Sequence, residues 1–326
     1  MKARPSIDVH DHYAPPAYRA VAKRCADRDP LFASLNDRVA PGDQSDPLVR
    51  LDRRLEEMGK SGLDVLVLSI NPPSAVPADE SLAAELMASA NDGLLEACAA
   101  APDRLLMLAA LPLPHADAAL AELARLEGRA AVSGVCIGVS GISFAPDAAE
   151  WRPVLERVAA LRLPLMLHPQ LIDPSRSDDP FAHAFAEYGL RSGVQAMVAT
   201  SLAALRLVLS GCLDDLPELV VIVPHLGGVI PYLAQRLADQ TMGRNARPLE
   251  HYLRERFFYD NCSYHHAALR CAIDTVGADR IMLGSDYPFR GPLGRCLETV
   301  LRSDLDERTK SLIAGETASR WFTPRA

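Results

Sequence analysis

Short apolar runs recur along the chain, each followed by a longer amphipathic stretch, and this alternation most constrains the fold. The runs are Ser6–His12, Asp64–Ile70, Leu105–Leu113, Val132–Val139, Leu163–His168, Leu219–His225, Phe257–Cys262 and Arg280–Asp286. They are nearly continuous in apolar character, as expected of parallel strands buried on both faces. Between them, Leu82–Ala100, Asp117–Glu127 and Trp151–Leu161 carry apolar residues at helical spacing. Alternation of this kind predicts an α/β fold, a (β/α)₈ TIM barrel, over an open doubly wound sheet. No G-x-G-x-x-G follows the first run, which weakens the dinucleotide-binding alternative.

Three stretches interrupt the pattern. Residues 13–50 and 169–200 read as insertions after the first and fifth strands, and 287–295 as a Pro/Gly-rich loop after the eighth. In a barrel all three overhang the C-terminal mouth, where barrel active sites lie. No linker or repeat divides the chain, so one domain over 1–326 is expected. With 49% hydrophobic and 23% charged residues the chain can bury a sizeable core. The net charge of −8 argues against a nucleic-acid partner. No N-terminal signal is visible, and no run approaches the roughly 18 apolar residues of a membrane span. The seven cysteines are scattered and form no C-x-x-C pair. They read as reduced thiols of a cytoplasmic protein, without metal-ligand spacing.

The first strand ends His10-Asp11-His12, and alternate residues of a strand face the same side. Alone, such a pair is a weak metal signal. Three further strands also end in polar residues: His168, His225 and Asp286. Four strand ends with ligand-type side chains at one mouth are hard to read as core histidines. Three neutral imidazoles and one carboxylate would hold a divalent ion and leave a position open. Asp11, facing away, either orients a ligand from behind or is a polar group at the rim. His265 and His266 either contact substrate or begin a helix at the surface.

The segments Ile7-Asp8-Val9-His10-Asp11-His12, His168, His225-Leu226-Gly227-Gly228 and Leu283-Gly284-Ser285-Asp286-Tyr287-Pro288-Phe289 together resemble the amidohydrolase superfamily. Within it they look like the amidohydrolase-related decarboxylase group, typified by α-amino-β-carboxymuconate-ε-semialdehyde decarboxylase. The likeness runs from Ile7 to about Phe322. It implies that His10, His12, His168 and Asp286 bind one metal ion, and that His225, with Asp286, exchanges protons beside it. It implies that Arg236 reaches across a homodimer interface to a substrate carboxylate, and that Arg54 is a second carboxylate-binding arginine. Binuclear members of the superfamily carry a carboxylated lysine at the fourth strand. Here that strand reads Gly134-Val135-Cys136-Ile137-Gly138-Val139, so a single ion is expected, Zn²⁺ first and Mn²⁺ as the alternative. After His168-Pro169 the chain has Gln170-Leu171-Ile172-Asp173, where the group's decarboxylases often carry an aromatic residue. The expected activity is non-oxidative decarboxylation of an unsaturated or aromatic carboxylic acid. The same ligands would also serve a hydrolase or hydratase, and a non-catalytic binding protein is a third, weaker reading.

Overall fold

The computed structural model describes residues 4–29, 32–33, 47–73, 76–139, 145–170 and 180–324. Its strands are β1 (Ile7–His12), β2 (Val65–Ser69), β3 (Leu105–Ala110), β4 (Val132–Val139), β5 (Leu165–Pro169), β6 (Val221–Val223), β7 (Phe257–Asp260) and β8 (Ile281–Met282). They form one eight-stranded sheet, every pair parallel, ordered β1 to β8. Bridges from Asp8 to Leu283 and from Asp11 to Tyr287 bring β8 back to β1. The expected (β/α)₈ barrel is therefore observed.

The longer helices are α1 (Pro16–Arg28), α2 (Leu51–Ser61), α3 (Glu80–Ala100), α4 (Ala116–Leu126), α5 (Arg152–Ala160), α6 (Pro180–Glu187), α7 (Ala196–Leu209), α8 (Ile230–Thr241), α9 (Leu249–Glu255), α10 (His266–Val276) and α11 (Arg295–Leu301). Helix α3 starts where Asp79 accepts a hydrogen bond from the Leu82 amide at 2.9 Å, an N-cap that satisfies an otherwise orphan donor. Its Asn91 is buried and ties the helix to β3, with Nδ2 donating to the Ala110 carbonyl and Oδ1 accepting from the Ala110 amide. Inside the barrel, Val9, Val67, Leu106, Met166, Ile222, Phe258 and Met282 close the bottom layers. The side chains of His10, His12, His168 and Asp286 therefore sit on a packed floor, not over a pore.

The two expected insertions are partly helical. The first contains α1; most of 30–46 lies outside the described residues, as does 171–179 in the second. The second insertion enters α7 through a π-helical turn, Arg191–Gln195. Together they make a helical run, Arg191–Leu209, of 19 residues and mean hydropathy 1.5. By length and composition this run could cross a membrane, which corrects the expectation that no such run exists. Half of it is buried in this fold, and α7 packs on β5 as a barrel-wall helix.

Candidate metal centre

His10 and His12 project from the end of β1, and both are fully buried. Their Nε2 atoms lie 3.1 Å apart, with Asp286 Oδ1 3.2 Å from His12 Nε2 and 3.7 Å from His10 Nε2. His168, at the end of β5, stacks edge-on against both, at ring-centroid distances of 4.7 Å from His12 and 5.2 Å from His10. One ligand atom from each of these four side chains falls within 4.8 Å of the other three. Imidazole nitrogens and a carboxylate crowded this closely suit a cation between them.

Each imidazole is held from behind through Nδ1. His10 Nδ1 lies 2.7 Å from Asp260 Oδ2, His12 Nδ1 3.2 Å from Ser69 Oγ, and His168 Nδ1 3.0 Å from the Pro169 carbonyl. Facing an acceptor, the Nδ1 of His10 and of His168 carries the proton, which turns the Nε2 lone pair toward the cluster. His168 Nε2 is buried without a hydrogen-bond partner. An orphan nitrogen of this kind, in a set of three imidazoles and a carboxylate, fits a divalent ion.

Electrostatics agree with the geometry. Burial pushes the His10 imidazole down, but the charge and hydrogen bond of Asp260, with Asp286 and Asp8 behind, carry it up to about 9. Burial lowers His12 and His168, so both favour the neutral form that binds metal. Burial alone would raise Asp286, yet its contacts with His12 and His225 hold it well below the usual carboxylate range.

His225 follows β6 on a sharp turn rather than on the strand. Its φ is +56° and that of Leu226 +54°, both left-handed and unusual for residues with a Cβ. Asp286 has φ +49°. Such backbone is held only where its surroundings over-determine it, and it concentrates at functional sites. Here Asp260 Oδ1 accepts from the His225 amide at 2.8 Å, and the Asp286 amide donates to the His10 carbonyl at 2.8 Å. The turn aims His225 Nε2 at Asp286 Oδ2, 3.5 Å away. Oδ1 of Asp286 thus faces the metal cluster and Oδ2 faces His225.

The arginines are placed differently from one another. Arg54, on α2, is fully buried. Nη1 donates to Asp11, and Nη2 donates to the carbonyls of His12 (2.6 Å) and Pro47 (3.1 Å). Its guanidinium also lies 4.9 Å from the Tyr287 ring centroid. Asp11 is thereby a buried partner of Arg54, behind the ligand strand. Arg236 is exposed on α8 and makes no hydrogen bond or ion pair among the described residues. His265 and His266 are exposed at the start of α10.

Four further side chains border the centre, of which Asp260 and Asp8 have no role assigned from the sequence. Asp260 was visible only as a polar residue on β7. Asp8 accepts from the His10 and Ser285 amides, both at 3.0 Å, and staples β1 to β8; burial raises it to about 6. Cys262, read as lacking ligand spacing, lies with His10 and His225 in a second ligand-type group. Burial pushes its thiol well above the ordinary range, which leaves it the poorer ligand. Arg290, in the loop after β8, has Nε 3.3 Å from Asp286 Oδ2.

Barrel and centre together define a metal-dependent enzyme scaffold with its chemistry at the C-terminal mouth. The family model for amidohydrolases matches residues 7–323, and the chain belongs to that family. It is 34% identical over 255 residues to the γ-resorcylate decarboxylase of Rhizobium sp. (strain MTP-10005), covering 73% of this chain and 76% of that protein. The 5-carboxyvanillate decarboxylase of Sphingomonas paucimobilis superposes with a TM-score of 0.85 at 26% identity, over 98% of each chain. A dihydroxybenzoic acid decarboxylase from Polaromonas sp. JS666, with bound manganese and the inhibitor 2-nitroresorcinol, gives 0.80 at 26% identity over 98% of this chain and 96% of that one.

Proposed function

We propose that the chain is a carboxy-lyase that removes CO₂ without oxidation from an aromatic or unsaturated carboxylic acid. The observation that carries this reading is the division of Asp286, with one oxygen in the ligand cluster and the other 3.5 Å from His225 Nε2. The similarity to aromatic-acid decarboxylases supports it. A divalent ion, when bound, supplies Lewis-acid polarisation of a substrate oxygen and so an acceptor for developing charge. His10, His12, His168 and Asp286 would hold it. Breaking the bond to the carboxylate leaves its electron pair on the substrate carbon, and a proton must reach that carbon. His225 Nε2 delivers it, and Asp286 Oδ2 steadies the imidazolium beforehand. The ledge of left-handed backbone keeps His225 in place through the step.

In this reading Arg236 binds a substrate carboxylate from a second copy of the chain, and the enzyme is a homodimer. Arg54 is a positioning residue, because its two terminal nitrogens donate to Asp11, His12 and Pro47 inside the protein. We assign Zn²⁺ to the site on the softness of three imidazoles; elemental analysis of protein purified without added metal tests this against the manganese of the Polaromonas relative. A cytoplasmic location is supported by seven cysteines, all free thiols.

The direct test is CO₂ release from 2,6-dihydroxybenzoate and a panel of related acids by metal-loaded enzyme. His225→Asn is expected to lower the rate by about 10²–10⁴-fold while metal content stays at the wild-type level. Absence of CO₂ from every acid, or solvent ¹⁸O appearing in an acid product, would overturn the reading in favour of hydrolysis.

A further inference from the structure

We propose that Arg290 reads a second anionic substituent on the substrate, so that the enzyme selects acids carrying a further carboxylate near the metal-bound group. This rests on the decarboxylase reading for the reaction, but the recognition is argued from Arg290 itself. Its guanidinium is anchored on one edge: Nε lies 3.3 Å from Asp286 Oδ2, and Nη2 donates to the Ser192 carbonyl at 3.1 Å. The other edge, Nη1 with the second hydrogen of Nη2, has no partner among the described residues, and the side chain is 37% exposed. That end-on edge is the fork that matches a carboxylate through two parallel hydrogen bonds.

Two further observations set this fork beside the metal centre, and a third leaves polar groups unpaired on the turn that anchors it. Arg290 contacts the oxygen of Asp286 that also faces His225, so it borders the reacting centre rather than the outer rim. Its neighbour Phe289 lies 5.5 Å from the His12 ring and is 42% exposed, which offers an aromatic wall beside the cation. Gln195, on the π-helical turn that also supplies the Ser192 carbonyl, is 3% exposed, and neither its Oε1 nor its Nε2 has a partner. A buried amide left unpaired costs on the order of 1–3 kcal/mol, a penalty that a polar ligand or water relieves. Asp286 does not cancel Arg290, because its charge is shared with the three imidazoles and with any ion they hold. The anchored guanidinium is already immobilised, so binding an anion costs it little further ordering.

The test is calorimetric binding of two non-reacting probes, isophthalate and benzoate, to the metal-loaded enzyme. Wild-type protein is expected to prefer isophthalate by about ten- to hundredfold, the range of a charge-assisted pair. Arg290→Gln is expected to bring the ratio near one with metal content and melting temperature unchanged. A wild-type ratio near one, no isophthalate binding, or a preference retained in Arg290→Gln would each overturn the proposal. Because neither probe is turned over, failure to release CO₂ from any acid would overturn the decarboxylase reading and leave this measurement standing.

Discussion

A single carboxylate, Asp260, holds two parts of the centre at once. Oδ2 meets His10 Nδ1 at 2.7 Å, and Oδ1 accepts from the amides of His225 at 2.8 Å and Cys262 at 2.9 Å. Asp260→Asn can keep the shape but loses the charge that orients the His10 ring. Metal affinity is expected to fall about 10–100-fold, read by competition with a chelating indicator; an unchanged affinity would reduce Asp260 to packing. The same contact sets a pH dependence in metal-free protein. His10 titrates at about 9 there, above the usual imidazole range, so metal binding must expel its proton. Apparent affinity should therefore rise with pH through 7 and 8 and level off above about 9. Calorimetry in buffers of different ionisation enthalpy would count the proton. The sign for stability is the reverse: a raised pKa stabilises the metal-free fold fully below the unfolded value near 6.5, and that contribution is lost as pH rises through about 9. The four residues that the barrel brings together as candidate ligands were legible in the sequence because each ends an apolar strand of one barrel. Asp260 was not, because nothing in its own segment says which ring it faces across the barrel.

At the scale of elements, the site depends on strands that stop early. β8 is only Ile281–Met282, and the chain then turns through Gly284 to present Ser285 and Asp286 to β1. A Cβ on Gly284 would fall 2.6 Å from Asp260 Cβ and 2.7 Å from its Cγ. Gly284→Ala should therefore cost about 1–3 kcal/mol by overpacking and also weaken metal binding by displacing Asp260. Thermal unfolding and metal titration read the two effects separately, and a variant with normal metal affinity would show that Asp260 can yield. Helix α2 contributes differently. Arg54 and Asp11 are both fully buried, and removing one partner leaves an uncompensated charge. Arg54→Ala is expected to lose about 3–5 kcal/mol of stability. Normal stability with lost carboxylate binding would instead return Arg54 to the substrate role that family resemblance implies. The strand-and-helix order could be read from periodicity alone. The left-handed turn at His225 could not, because His225-Leu226-Gly227-Gly228 signals a turn by its glycines but not which residues bear the strain.

The whole molecule shows an outer surface that the barrel does not explain. Along the π turn and α7, Leu190, Val194, Val198 and Leu202 are each more than 40% exposed and spaced one helical turn apart. The opposite side of α7 is alanine-rich, with Ala196, Ala199, Ala203 and Ala204 buried. The helix thus turns alanines, with Leu207 and Val208 at its end, to the barrel while part of its larger apolar set faces outward, and so it passes for a membrane span by composition. Tyr232 on α8 is 85% exposed, and Arg236 follows it one turn later on the same outward side. A row of large apolar side chains left in water marks a binding surface. The proposed homodimer would cover it and carry Arg236 to the other copy. Light scattering at micromolar concentration should give a dimer. Val198→Asp with Leu202→Asp should give a folded monomer, since both positions face solvent and the barrel wall is untouched. That monomer should keep its metal yet bind benzoate more weakly, as Arg236→Ala does in the dimer. A monomeric wild type would remove Arg236 from the site and leave Arg290 as the arginine that contacts Asp286 among the described residues.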